Sequence, residues 1–488
     1  MSSDRGLKAR SLRRPGIGLL TVAFVLVGFL SVGDQTSPGI LPETDAWTIV
    51  RPSVLWCGIA DSTATIEAHI VGRTDVVSAR VAGPNESFPL YDDGSHGDVL
   101  AGDRVFTAGG VYPFCHTGLS LKYGMTVGGW SGTLEVTLAD GSTLVDDRSI
   151  HIGLVQPRYR GKSAIVDYQD GLSATAYAFF IQDIDGVVFD GYPVARADQT
   201  AIYRKALSML YSILPDAFDL VVIMPGRTLF HADSLSEITA QSTRVANDAQ
   251  HIGIPIFNDA ATYGSAGRLR EVIFQPFGSI GLIDSEIASL WGADLGAPVG
   301  LAAASADGTY LWDPMSDVGG QLSSYFISDD GSLVGRFASN GDGTWRLVSP
   351  AENERYSPIE LYAMGLLPAT EVPPMHLLAQ VDLTSSDRIT ASSVQTVSID
   401  DVVAAQGGVR FPSPEESQKS FHVAFVIVQE APFTDADYAY YSFLSYHLMT
   451  RDTPADFDDF APFYWATGGR ATLNTRLPID VTPILPPP

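Results

Sequence analysis

Between Trp47 and Val155 the chain is a succession of short runs in which apolar and polar residues alternate, among them TATIEAHIV, DVVSARVAG, LSLKYGMTVGG and GTLEVTLAD, each closed by Gly, Asn or Asp. A side-chain period of two fits only a strand with one buried face, and turn residues at regular spacing fold such strands back on one another. The first hundred residues of the body are therefore expected to form an antiparallel all-β sandwich over 47–155. The preceding stretch 34–46, DQTSPGILPETDA, is rich in turn formers and reads as a linker.

The pattern changes near Gly161. TAIYRKALSMLYSIL has helical periodicity, FDLVVIMPG and HVAFVIVQE are continuous apolar runs of buried-strand type, and a further helix is expected from Tyr438 to Leu448. Strands interleaved with helices predict an α/β or α+β layer arrangement for 160–478. Residues 479–488 end in a proline-rich tail, TPILPPP, expected to be disordered or extended. The fold class is thus multidomain, a β-sandwich followed by an α+β unit.

At the N-terminus Arg5, Lys8, Arg10, Arg13 and Arg14 precede an uncharged run from Pro15 to Gly33, the charged and apolar parts of an export signal. Ser31 and Gly33 suit a cut before Asp34; a retained membrane anchor is the alternative, and either exports the rest. The chain has 30 basic and 56 acidic residues. Without residues 1–33 the balance is 25 to 55, a net charge of −30, which repels nucleic acid and anionic lipid. Contact with a membrane is expected only through the N-terminal segment, and no nucleic-acid partner is expected. The only cysteines, Cys57 and Cys115, are expected to pair as exported cysteines do.

The segment LYDDGSHGDVLAGDRVFT brings Asp92, Asp93, Asp98 and Asp103 together among glycines, a composition that lets several carboxylates converge on calcium. A solvated hairpin is the plain alternative. The segment resembles the DDG…GD…AGDGVYT loop of Ig-like modules in exported bacterial proteins sometimes called choice-of-anchor domains, with Arg104 where that pattern has Gly. The resemblance implies an Ig-like sandwich that presents or spaces another domain.

Five later pieces, FNDAATYGSAGRLREV, IDSEIASLWG, DGTYLWDPMSDVGG, YSPIELYAMGLLPATEVPP and ATGGRATLNTRL, resemble secreted bacterial proteins of zincin-like metallopeptidase character in order and spacing. The resemblance implies a helix carrying H-E-x-x-H, in which two imidazoles grip zinc and Glu polarises its water. This chain has Ser285-Glu286-Ile287-Ala288-Ser289, so Glu286 stands between two hydroxyls, and Tyr310 stands where the third ligand is expected. Serine is too weak a ligand to replace imidazole. No H-x-x-x-H occurs among the nine histidines. Ile287, Leu290 and Trp291 would bury one face of this helix, leaving Ser285, Glu286 and Ser289 on a cleft, with Met364 as an apolar floor or simply core.

The leading expectation is a domain without zinc that binds a protein or peptide ligand by strand addition, with calcium as the one cofactor. An active secreted metallopeptidase with displaced ligands, and a glycan-binding or surface-structural protein, are the alternatives.

Overall fold

The computed structural model describes residues 39–41, 46–113, 127–184, 186, 188, 199–226, 240–275, 283–304, 309–323, 326–327, 333–348, 355–383, 386–451 and 462–482. Residues 1–38, which carry the expected export signal, Cys115 and the end of the tail lie outside the described residues. Among the described residues no helix is long and apolar enough to cross a membrane.

Nine strands make up the first half: β1 (Gly39–Ile40), β2 (Ala46–Arg51), β3 (Val54–Trp56), β4 (Ala64–Ile70), β5 (Val76–Ala82), β6 (Ser87–Leu90), β7 (Val105–Val111), β8 (Val127–Leu138) and β9 (Thr143–Val155). They form one sheet in the order β1-β9-β8-β5-β6, with β3 also paired to β9, and a second sheet, β2-β4-β7. The alternation decides the packing. In β4 every second residue, Ala64, Ile66, Ala68 and Ile70, is buried, and these meet Val81, Leu134, Val136 and Ile152 of the other sheet in one apolar core. The pairing differs from an all-antiparallel sandwich, because β1 and β3 both run parallel to β9. Alternation fixes which face of a strand is buried but carries no information on its direction, so these short parallel edges were not legible.

The second half is built on a mixed sheet of β10 (Val166–Asp167), β11 (Leu172–Ala174), β12 (Phe179–Gln182), β13 (Leu220–Pro225), β14 (Gln241–Arg244), β15 (Glu271–Phe274), β16 (Ser420–Gln429) and β17 (Thr472–Asn474). Its order is β10-β11-β12-β16-β13-β15-β14, with β17 beside β16. The central strands β12, β16, β13 and β15 are mutually parallel, and β14 runs antiparallel at the edge. Central parallel strands need cover on both faces, which is why β13 is buried at every position. Helix α1 (Gln199–Ile213) lies over Phe179, Val221, Ile223 and Phe274 on one face. On the other, Phe180, Val222, Ile273 and Phe425 meet α2 (Ile283–Ala288), α3 (Pro358–Met364), α4 (Ile399–Ala405), α5 (Asp435–Leu448) and α6 (Phe463–Ala466). Four small antiparallel sheets, 246–247 with 257–258, 302–304 with 310–312, 326–348, and 375–382 with 390–397, complete the described strands.

The two halves share side chains. Helix α5 packs on β3, β8 and β9, so that Trp56, Val155 and Tyr159 belong to the same apolar cluster as Tyr440, Phe443 and Phe425. The whole is β-rich, with several sheets and short helices.

Candidate functional site

Helix α2 follows β15 and carries the segment that the sequence marks out. It is only six residues long, and its continuation through Leu290 and Trp291 is a turn rather than the longer helix expected. The expected apolar stripe is buried: Ile287, Leu290 and Trp291 sit in the main core with Met364. The opposite side is not open either. Ser285 is 6 %, Glu286 3 % and Ser289 8 % exposed.

The two hydroxyls are committed to local partners. Ser285 Oγ donates to the Gln321 carbonyl at 3.0 Å, and Ser289 Oγ donates to the Ser285 carbonyl at 3.4 Å. Tyr310, half-buried on the 310–312 strand, packs against the same core. Among the described residues the one group of acids, histidines or cysteines close enough to share a metal ion is Asp92, Asp98 and Asp103, which does not include Glu286.

Other residues hold this region together. Arg244, at the end of edge strand β14, donates from Nε to the Ser289 carbonyl at 2.6 Å and from Nη2 to Asp294 Oδ2 at 2.9 Å. It thereby ties β14 to the end of α2 by a charge-assisted bond to a helix-end carbonyl. Directly opposite Arg244 in the strand register stands Glu271. Glu271 is wholly buried and neither of its carboxylate oxygens has a hydrogen-bond partner. Burial, reinforced by the like charge of Glu286, pushes its carboxyl well above the ordinary range, against the weaker opposing pull of Arg244 and Arg270. A proton on Glu271 removes the repulsion that two buried carboxylates would otherwise suffer.

Glu360 is a buried acid of the other kind. It closes the capping box at the start of α3, accepting from Ser357 N at 2.7 Å. It also accepts from Leu322 N at 2.7 Å, Gln321 N at 3.1 Å and Trp312 Nε1 at 3.0 Å. Gly320 passes so close that a Cβ there would overlap this carboxylate. Glu360 therefore braces the loop that receives Ser285 Oγ. Tyr356 adds a further brace, donating to the Asp284 carbonyl at 2.8 Å; its burial beside Asp284 holds its hydroxyl protonated far above the usual range.

In the first half, Asp92, Asp98 and Asp103 place one carboxylate oxygen each within 4.8 Å of one another. Backbone donors orient them: Gly102 N to Asp92 Oδ1 at 2.7 Å, Gly94 N to Asp98 Oδ2 at 2.6 Å, and Val105 N to Asp103 Oδ1 at 2.9 Å. Asp93 is not part of this group. Its Oδ1 accepts from Ser95 Oγ at 2.5 Å and from Ser95 N at 2.9 Å in a local turn, and that bonding, the hydroxyl's first, lowers its carboxyl below the ordinary value. Arg104, where the resembled pattern has glycine, adopts φ +68° and so carries a side chain in the left-handed region. Cys57 is buried just beyond β3, and no free cysteine occurs among the described residues.

The residues that sequence reading missed are Arg244, Glu271, Tyr356 and Glu360. Ser357-Pro-Ile-Glu360 carries a capping-box spacing that could have been read. Glu271 had one signal, a charge directly before the apolar run Val272-Ile273-Phe274. No protein family, curated protein or solved structure matches this chain.

Proposed function

We propose that this is an exported protein whose second half has the layout of a zincin but has lost the metal centre and binds an extended protein segment instead of cutting it. The observation that carries the proposal is the state of α2. Serines stand where imidazoles would be needed, their hydroxyls are engaged with backbone carbonyls, and Glu286 is buried near Glu271, whose carboxyl burial holds well above the ordinary range. A glutamate activates water only where a metal or another group lowers that water's pKa from about 15.7 toward 7. Zincin-like character is supported by the mixed sheet with an antiparallel edge strand, β14, packed next to α2.

Edge strand β14 supplies the binding mode. Its four residues are each half-buried and pair on one side with β15, so its outer row of backbone groups suits strand addition. Arg244 keeps that edge in a fixed position relative to α2. In the same reading the first half is an Ig-like spacer, Asp92, Asp98 and Asp103 bind calcium, and Cys57 and Cys115 are paired. Two free thiols in exported material would remove the last point.

Metal analysis of the purified protein, cleavage of an unfolded protein substrate, and binding of that substrate test the central claim together. The expected result is zinc well below one per chain, no cleavage that depends on Glu286, and binding weakened at least tenfold by Ser242→Pro on β14. One zinc per chain with proteolysis abolished by Glu286→Ala would establish the active-enzyme alternative.

A further inference from the structure

A small cleft of about 60 Å³ lies on the seam between the two halves, between the end of β2 and the segment joining β16 to α5. Pro52 and Ser53 line it from the sandwich, and Gln429, Ala431, Pro432 and Asp437 from the other side. Its walls are largely aliphatic. Its polar side chains are Arg51, Ser53, Gln429, Glu430 and Asp437; the Ser53 hydroxyl is spent on the Gly226 carbonyl, and Arg51 and Glu430 are exposed at the rim, which leaves the acceptors of Gln429 and Asp437 inside.

Asp437 is the notable group. It is 1 % exposed, at the third position of α5, and its Oδ2 closes the capping box by accepting from Thr434 N at 2.7 Å and Thr434 Oγ1 at 2.8 Å. Its Oδ1 is buried without a hydrogen-bond partner. The neighbouring Gln429 amide stabilises the carboxylate weakly, yet its Nε2 donates to the carbonyls of Ala431 at 3.1 Å and Pro432 at 3.3 Å. That leaves Gln429 Oε1 as a second acceptor. An isolated buried carboxylate is costly unless a donor, preferably a cationic one, reaches it.

We propose that this seam cleft binds a primary alkylammonium group. The ammonium would donate to Asp437 Oδ1 and Gln429 Oε1 while its methylenes lie against Pro52, Ala431 and Pro432. The cleft's volume suits a group of a few heavy atoms, since about 10–15 Å³ of such space already holds one water. A metal ion fits less well, because Asp437 is the only buried acid of the lining and no three ligand atoms converge there among the described residues. Two exposed charges of opposite sign, Arg51 and Glu430, flank the mouth, and Tyr438 and Tyr441 of α5 face Asp437 with their hydroxyls protonated. Burial raises the Asp437 carboxyl to about 6, so the ionised form that an ammonium needs prevails near pH 7.5 and is scarce at pH 5.

Calorimetric titration of the full chain with n-butylammonium chloride tests the site. Saturable binding at pH 7.5 is expected, about tenfold weaker at pH 5, with tetramethylammonium, which has no N–H, failing to compete. Asp437→Asn keeps the capping acceptor and should weaken binding at least tenfold; Ala431→Trp, at the exposed mouth, should block it and leave the fold intact. A lysine peptide binding more tightly than butylammonium, with the gain lost on acetylation, identifies a protein partner as the source, and equal affinity identifies a free amine. No saturable butylammonium binding by the wild type, equal binding by Asp437→Asn, or equal competition by tetramethylammonium or sodium would overturn the proposal and leave the cleft to water.

Discussion

Glu271 and Glu360 are both fully buried glutamates within one core, and their surroundings give them opposite roles. Glu360 receives four N–H donors and fixes a helix start; Glu271 receives none and faces Glu286. Burial without donors disfavours the charge, so the folded state holds the Glu271 proton more tightly than the unfolded chain does. The sign follows. Whatever stability is present below the ordinary glutamate value is lost as pH climbs from there through the raised value. Each unit of such a rise costs about 1.4 kcal/mol once the group must ionise. The isosteric Glu271→Gln removes the titration, so its melting temperature should decline less than that of the wild type between pH 5 and pH 8. Thermal denaturation of both proteins at the two pH values checks this, and parallel declines would show that Glu271 does not carry the pH dependence. Neither glutamate's environment could be read from the chain. Glu271 depends on a strand partner 27 residues upstream and on a helix residue 15 downstream, and only folding brings these together.

Among the elements, those defined by their own pattern were legible and those defined by their neighbours were not. The apolar runs within 218–226 and 422–430 became β13 and β16, and the helical period of 200–214 became α1. Helix α2 was overestimated because an apolar i, i+3, i+4 pattern continues through Trp291 although the backbone leaves the helix after Ala288. The acidic loop divides in the same manner. Its composition named four aspartates, whereas turn geometry selects three, since Asp93 closes on Ser95 within its own turn. In the proposed calcium reading, three carboxylates would make a weak site of the extracellular kind, with an affinity at about the millimolar level. Calcium at several millimolar should therefore raise the melting temperature of the wild type and of Asp93→Ala. The double variant Asp98→Ala with Asp103→Ala should lose that gain. Differential scanning calorimetry with calcium and with chelator measures it, and a gain that disappears in Asp93→Ala would return that residue to the ligand set.

At the scale of the whole molecule the two halves are joined by packing and not by the chain alone. Tyr440 of α5 lies against Gly153 of β9, where an added Cβ would stand 3.0 Å from the ring and 3.1 Å from Val54. Tyr159 and Phe443 meet nearby as tilted rings with centroids 4.4 Å apart, and Trp56 and Val155 complete the contact. A domain that buries apolar side chains in its neighbour's core loses stability when they part, at about 25 cal/mol for each Å² exposed. The wild type should consequently unfold with the two halves coupled. Gly153→Val places branched methyls against the Tyr440 ring and Val54, at the buried contact between the halves, and should pry α5 from β9. Overpacking of this kind costs about 1–3 kcal/mol. Calorimetry should then resolve two transitions in place of one, with the second half melting first because Tyr440, Phe443 and Tyr159 lose their cover. The same variant should weaken ammonium binding at the seam, since Pro52 and Ser53 reach the cleft only while the halves are docked. A single unshifted transition in Gly153→Val would show that the α5 contact does not couple the halves.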